Sequence, residues 1–360
     1  MLKSYKYRIY PNKQQRQIID QTISLCQQLY NSALEHRIVL YKGKKISINY
    51  HDQAKELKEI KQALPEYQTI YSQVLQDALK RLDKAYQNFF RRVKLGQTPG
   101  FPRFQSYKRY NSFTYPQSGF NLSGSRLQLS KIGDIKIKFH RPILGKIKTC
   151  TIICKNDKYY VCFSCEVNAE IIPLTHQDVG IDVGIKEFLA TSDGKLIPNP
   201  KNYRMAEAKF KKQQRAVSRK KKGSNRRKKA VNILAKTHEH IANQRIDNAF
   251  KVANYLFREY DVVYYEDLHI NNMVKNHKLA KSISDAGWGL FFSILDATAK
   301  QVPGKKAIKV DPRYTSQMCS NCGQIVKKNL SVRIHSCDCG LIIDRDVNAA
   351  KNILQRGQAA

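Results

Sequence analysis

Three acidic residues of this chain stand beside apolar runs at points where the chain is about to change direction. Asp182 lies within Val179-Gly180-Ile181-Asp182-Val183-Gly184, a strand of the buried type. Glu266 closes the apolar run of Asp261-Val262-Val263-Tyr264-Tyr265-Glu266-Asp267-Leu268. Asp346 stands at the start of a predicted helix, Asp344-Arg345-Asp346-Val347-Asn348-Ala349-Ala350, which it can cap. One acid at a strand end means little, because strands often stop at one. Three acids in strand–hairpin, strand and helix-start contexts say more. Brought together, they repel one another unless cations bind. Mg²⁺ is a hard cation that prefers oxygen ligands and keeps several waters. Two such ions ~4 Å apart activate an attacking water and stabilise the leaving oxygen of a phosphodiester. The expected chemistry is therefore metal-dependent phosphodiester hydrolysis, with Asp182, Glu266 and Asp346 as ligands. Asp267 and Asp344 are the second choices.

A second set of residues points to a different metal. Of nine cysteines, Cys319, Cys322, Cys337 and Cys339 fall within 21 positions. An odd total without a secretion signal speaks against a disulfide framework. Cys319-Ser320-Asn321-Cys322-Gly323 reads as a zinc knuckle, and Cys337-Asp338-Cys339-Gly340 supplies a second pair. Four thiolates satisfy tetrahedral zinc with no position left for water, so the expected site is structural. The second pair is one residue shorter than the usual Cys-x-x-Cys. Residues two apart on a strand share a face, which allows chelation, and His335 is the reserve ligand. Cys162 and Cys165 lie on a predicted strand, where a spacing of three points side chains to opposite faces. They are expected to be structural.

Charge narrows the partners. The chain carries 64 Lys and Arg against 29 Asp and Glu, a formal net charge of +35 over 360 residues. Such a protein repels itself unless a polyanion neutralises it, and nucleic acid is the expected polyanion. From Lys209 to Lys229, 12 of 21 residues are basic and none is acidic. Without interleaved acids to form stabilising pairs, this run favours phosphate binding over a merely solvated face. Lys220, Lys221, Lys222, Arg226 and Arg227 are its leading candidates. No apolar run is long enough to span a membrane and no signal-peptide core is present, so a cytosolic location is expected, with no membrane partner.

These residues need elements to position them. Tyr5, Tyr7 and Ile9 alternate with Lys6 and Arg8, as a strand does, until Pro11-Asn12 ends it. Ile19, Ile23, Cys26, Tyr30 and Ala33 mark one helical stripe, and Leu75, Leu79, Leu82, Tyr86 and Phe89 another. Residues 113–168 alternate as an antiparallel β module with a hairpin turn at Asn156-Asp157, which the first strand can join. Asp193-Gly194 is a further hairpin signal and puts Asp182 on the first strand of a hairpin. Residues 201–260 read as helical.

The joint order of several stretches resembles the TnpB family, transposon-encoded RNA-guided DNA endonucleases related to type V CRISPR effectors. The stretches include Tyr10-Pro11-Asn12, Ala85-Tyr86-Gln87-Asn88-Phe89-Phe90 and Gly100-Phe101-Pro102-Arg103-Phe104. Further along lie Gly180-Ile181-Asp182-Val183-Gly184, Ser218-Arg219-Lys220-Lys221-Lys222-Gly223-Ser224, Asp285-Ala286-Gly287-Trp288-Gly289 and the Cys319-to-Ala350 segment. The resemblance implies a multidomain α+β and α/β chain. A wedge β-barrel would take residues 1–10 and 111–172, with an inserted helical recognition domain at 11–110. An RNase H-like (RuvC) nuclease domain would take 173–310 and 341–360, interrupted by a zinc-ribbon-like insert at 311–340. Asp182, Glu266 and Asp346 match the family's catalytic acids. The chain departs from the family after Asn243-Gln244-Arg245-Ile246-Asp247, where Asn248-Ala249-Phe250-Lys251 replaces a segment that often carries a histidine.

The resemblance further implies a guide RNA made from the transposon end and a double-stranded DNA target cut beside a short adjacent motif. Gln73 and Gln76 lie off the leucine stripe of the second helix, and glutamine pairs bidentately with adenine in the major groove. They are expected to read that motif, with Tyr50 a third reader by resemblance. The rival reading is an RNA-independent transposase or resolvase using the same acids. A non-catalytic RNA-binding protein fits less well, because the acids are intact.

Overall fold

Alternation at the N-terminus produces a strand, β1 (Leu2–Tyr10), with Tyr5, Tyr7 and Ile9 buried. The computed structural model describes residues 1–107, 109–169, 172–329 and 332–359. Positions 170 and 171 of the expected β module and the final position 360 lie outside these. Pro11 cannot extend a ladder, and Asn12 caps α1 (Lys13–Lys44): its side chain accepts from the Gln15 N–H while the Gln15 side chain accepts from the Asn12 N–H. Then follow α2 (Tyr50–Ala63), α3 (Ser72–Lys94), β2 (Ser112–Tyr115), β3 (Phe120–Ser123), β4 (Arg126–Leu129), β5 (Gly133–Lys138), β6 (Lys146–Lys155) and β7 (Lys158–Glu166).

The strands form one antiparallel half-barrel sheet in the order β2-β6-β7-β1-β5-β4-β3, so the first strand sits at its centre. Asn156 and Asp157 both take positive φ between β6 and β7, as a tight two-residue hairpin turn requires. The stripe Ile19, Ile23, Cys26, Tyr30 and Ala33 shares one core with Leu75, Leu79, Leu82 and the sheet's inner face. Tyr86 and Phe89, at the far end of the α3 stripe, are only partly buried. Cys165 is buried and Cys162 half-buried on opposite faces of β7.

The chain divides into two units, Met1–Asn168 and Ala169–Ala360. The second contains β8 (Asp178–Val183), β9 (Glu187–Thr191), β10 (Leu196–Pro198), α4 (Asn202–Ser218), α5 (Asn225–Glu259) and β11 (Val262–Glu266). It continues with α6 (Ile270–Met273), α7 (Ala280–Ala286), α8 (Trp288–Ala299), β12 (Lys306–Val310), β13 (Ile334–Ser336), β14 (Ile342–Asp344) and α9 (Arg345–Gln358). The sheet order is β10-β9-β8-β11-β12, with β8, β11 and β12 parallel and β9 and β10 antiparallel. Asp193-Gly194 turns β9 into β10. The hairpin that begins with the Asp182 strand closes earlier, around Gly184, whose N–H donates to the Phe188 carbonyl.

Both faces of this sheet are covered. Val263 and Tyr265 pack with Val252 and Leu256 of α5 and Phe291 and Leu295 of α8, whereas Tyr264 faces the other way, toward Ile353 of α9. Two glycines let α9 lie close. A β-carbon on Gly180 would strike the Ala350 carbonyl, and one on Gly357 would strike the Tyr264 ring. Asp285, with 3% of its side chain exposed, accepts from the Tyr203 and Arg204 N–H groups and from Arg245, and so caps α4 from α7. Among the described residues, no helix is long and apolar enough to cross a membrane.

Candidate active site

The parallel register of β8 and β11 ends at Ile181 beside Tyr265, so Asp182 and Glu266 are the next residues of the two strands, at the same end of the sheet. The third acid arrives on α9. The sequence reading makes Asp346 the helix cap, but the cap is Asp344, whose Oδ1 accepts from the Asp346 and Val347 N–H groups at 2.8 and 3.2 Å. The helix starts two residues earlier than expected, and this leaves the Asp346 carboxylate free of capping. Gly184 borders it: a β-carbon there would lie 3.7 Å from Asp346 Oδ2.

The electrostatics report the crowding. Burial, then the negative charges of Glu266 and Asp346, hold the Asp182 carboxyl well above the usual carboxylate range, while Arg345 pulls it back. Asp182 nonetheless keeps some solvent exposure. Burial also raises Glu266, against a hydrogen bond from the Thr315 hydroxyl and the charge of Arg356. Arg345 contacts Asp346 Oδ1 at 3.0 Å, and Arg333 approaches Oδ2 at 3.5 Å. Glu266 and Asp346 thus lie close enough for their charges to act on the Asp182 carboxyl. The two second choices have other partners. Asp267 pairs with Lys309 at 2.9 Å on the surface, and Asp344 is the cap.

Several supporting residues escape a reading of the sequence. Thr315, almost fully buried, links Glu266 to the Pro312 carbonyl. Asn348 and Asn352, fully buried one helical turn apart on α9, bind the Met318 carbonyl, and Asn352 also binds that of Thr315. Their spacing of four within an otherwise apolar stripe is the one local signal that could have marked them.

Asn348 also accepts from the Ser320 N–H at 3.0 Å, which ties α9 to the first cysteine knuckle. The sulfurs of Cys319, Cys322, Cys337 and Cys339 lie within 4.8 Å of one another, with Cys319–Cys339 and Cys322–Cys337 both at 3.6 Å. A tetrahedral zinc with ~2.3 Å bonds to sulfur spaces its ligands by about 3.8 Å, so the cluster fits that ion. The Cys-x-Cys pair is not on a strand, as expected, but in the turn after β13, where Gly340 takes φ +86° and its N–H donates to the Cys337 carbonyl. His335 stands outside the sulfur cluster, fully buried on β13 with Nδ1 against the Lys328 ammonium.

The basic run forms the end of α4, a turn, and the start of α5. Between the two helices lies a groove of about 570 Å³ whose charged lining is Lys209, Lys212, Lys220, Arg226 and Lys229, with no acid. Lys221 and Lys222 are exposed in the turn, and Arg227 is half-buried in the first turn of α5, where its N–H donates to the Ser224 hydroxyl. In the other unit, Tyr50 opens α2 with Lys80 5.3 Å above its ring. Gln73 accepts from the Ser118 N–H at 3.3 Å, and Gln76 is half-buried on the same helix.

Three family models match the chain. "Probable transposase" of the IS605 OrfB type covers residues 163–277, a Cas12f1-like TNB domain covers 288–353, and an IS605 OrfB helix-turn-helix domain covers 1–45. The last region is here one strand and one long helix. The chain is 36% identical to a "Putative RNA-guided DNA endonuclease" of Streptomyces pristinaespiralis, over 99% of this chain and 90% of that protein. It is 31% identical to "Putative RNA-guided DNA endonuclease InsQ" of Escherichia coli K12, over 99% and 93%. Its fold is similar to the protein in a Cas12f1–sgRNA–target DNA complex, with a TM-score of 0.63 at 14% identity over 98% of each chain. With relatives of this identity over its whole length, the chain belongs to the TnpB family, the IS605 OrfB group of transposon-encoded proteins.

Proposed function

We propose that this protein is an RNA-guided DNA endonuclease encoded by an insertion sequence, with a guide RNA from the transposon end and double-stranded DNA as its partners. What supports the reading most is that relatives matching the whole chain bear that name, and the charges of Glu266 and Asp346 acting on the buried Asp182 carboxyl agree with it. The five-stranded sheet with α9 on one face is read as an RNase H-like (RuvC) nuclease domain, the half-barrel as the wedge, and the cysteine segment as a zinc-bearing insert.

Asp182, Glu266 and Asp346 would hold two Mg²⁺ ions, which supply an activated water and charge neutralisation at the scissile phosphate. The chain's own groups do the positioning. Thr315 fixes the Glu266 carboxylate, and Arg345 and Arg333 balance Asp346. The α4–α5 groove holds guide phosphates. Tyr50, Gln73 and Gln76 read the base pairs beside the target, while base pairing with the guide reads the rest.

The test uses protein purified from cells that carry its own element, incubated in Mg²⁺ with a plasmid matching the bound RNA. Cleavage of the matched plasmid and its loss after ribonuclease treatment are the expected results. Sequence-dependent cleavage by RNA-free protein would favour the transposase or resolvase reading instead.

A further inference from the structure

We infer that a cavity bounded by the C-terminal part of α1, by α3 and by the loop after α3 receives an unstacked nucleobase of a bound nucleic acid strand. The inference rests on the proposed reading of the protein as a nucleic-acid enzyme, but uses neither the acids nor the α4–α5 groove. The cavity is about 760 Å³, within the ~300–1,000 Å³ typical of small-molecule sites. Its walls carry Tyr41, Tyr86, Phe89, Phe90 and Phe101, with Arg37 at its side. Phe90, Tyr41 and Phe101 are 60%, 58% and 49% exposed, a high cost for aromatic side chains with nothing to cover them. The rings already form a platform. Tyr86 and Phe90 are nearly parallel (26°) with centroids 6.2 Å apart, and Phe101 meets Tyr86 and Phe89 edge-on at 5.6 and 5.4 Å.

Aromatic walls alone would suit an apolar peptide equally well. The charge at the rim decides between the two. Lys42 and Lys45, exposed on the rim, make no ion pair among the described residues and suit the phosphates on either side of an inserted base. Every base has a π-face, so the site would tolerate sequence. It also gives a role to the Ala85–Phe90 and Gly100–Phe104 motifs, which neither the acids nor the zinc cluster uses.

The experiment measures binding of full-length, zinc-loaded, RNA-free protein to dT12, U12 and a twelve-unit abasic phosphodiester of equal charge. Wild-type protein is expected to prefer the base-bearing strands. Phe90→Ala and Phe101→Ala should each cut that preference by at least about fivefold, as loss of a stacking partner does. Phe90→Trp should keep it, and Phe90→Leu, which preserves apolarity, should not. Both aromatic positions are exposed, and unchanged thermal melts identify folded variants. The dT12 and U12 arms tell a DNA source from an RNA source. A preference for bases that survives both alanine variants would overturn the inference, as would equal losses on the base-bearing and abasic strands. A dimer dispersed by Phe90→Ala with base preference intact would assign the surface to a second copy of the chain, and so overturn it too. Failure of the wild-type protein to bind any of the three strands would overturn it together with the nucleic-acid reading.

Discussion

The α-carbon of Gly180 lies so close to the carbonyl oxygen of Ala350 that no β-carbon fits between them. This contact sets how near α9 approaches β8, and Asp182 and Asp346 lie just beyond it on the two elements. Gly180→Ala should force the helix away from the sheet. Overpacking of this kind costs ~1–3 kcal/mol. The expected result is a lowered melting temperature together with a loss of cleavage larger than the fraction unfolded explains. Cleavage that falls only in step with folding would show that the spacing of the acids is not set here.

The Lys305 ammonium, fully buried, bonds the Asp261 carboxylate at 2.6 Å. Burial works against the Asp261 charge, but Lys305 and the Thr175 and His176 N–H groups prevail and hold its pKa down to about 2. An unfolded aspartate titrates near ~3.9. The folded value is the lower one, so this stabilisation is complete above about pH 4 and fades as pH falls toward 2. Asp261→Asn leaves Lys305 buried without a counter-charge and should cost ~3–5 kcal/mol at neutral pH. Denaturation between pH 7 and pH 3 should show wild type losing more stability on acidification than the variant does.

Zinc should bind at one ion per chain, and Cys339→Ser should release it. His335→Ala should retain it, because among the described residues the four sulfurs alone form the cluster. Metal analysis of the two variants checks this. Asn348 and Gln355 of α9 hold the knuckle at Ser320, so zinc removal should also lower cleavage through displacement of α9.

Replacement of Lys220, Lys221, Lys222, Arg226 and Arg227 with Ala should strip charge from the α4–α5 groove and its turn. Each lost phosphate contact removes about 0.7–0.9 from the slope of log affinity against log salt, so a drop of roughly 3.5–4.5 is expected for guide RNA. A salt titration of RNA binding reads it directly. An unchanged slope would place the RNA elsewhere on the protein.

The legible parts of this protein are those with a local period. Tyr5, Tyr7 and Ile9 announce a strand, and the leucines of α3 announce its buried face, because each pattern repeats within a few residues. Asp182 and Glu266 show in the sequence as carboxylates in apolar runs, and both runs are strands of one sheet. What fails to show is settled between distant segments. The choice between Asp344 and Asp346 as cap depends on where β14 hands over to α9. Gly184 and Asp193-Gly194 are both turn signals, and strand pairing decides which one closes the Asp182 hairpin. The Cys-x-Cys pair reads as a strand until Gly340 takes positive φ. Thr315, far from Glu266 in sequence, has no local mark at all.

The central claim is that Asp182, Glu266 and Asp346 form the cutting site while separate basic and aromatic surfaces hold nucleic acid. The most direct measurement compares wild type and Asp182→Ala, each loaded with the element's RNA, on matched plasmid in Mg²⁺. Cleavage by the variant is expected to fall at least ~10³-fold, a loss of about 4 kcal/mol of transition-state stabilisation, with RNA and target binding unchanged. Cleavage by Asp182→Ala at or near the wild-type rate would contradict the assignment of the site.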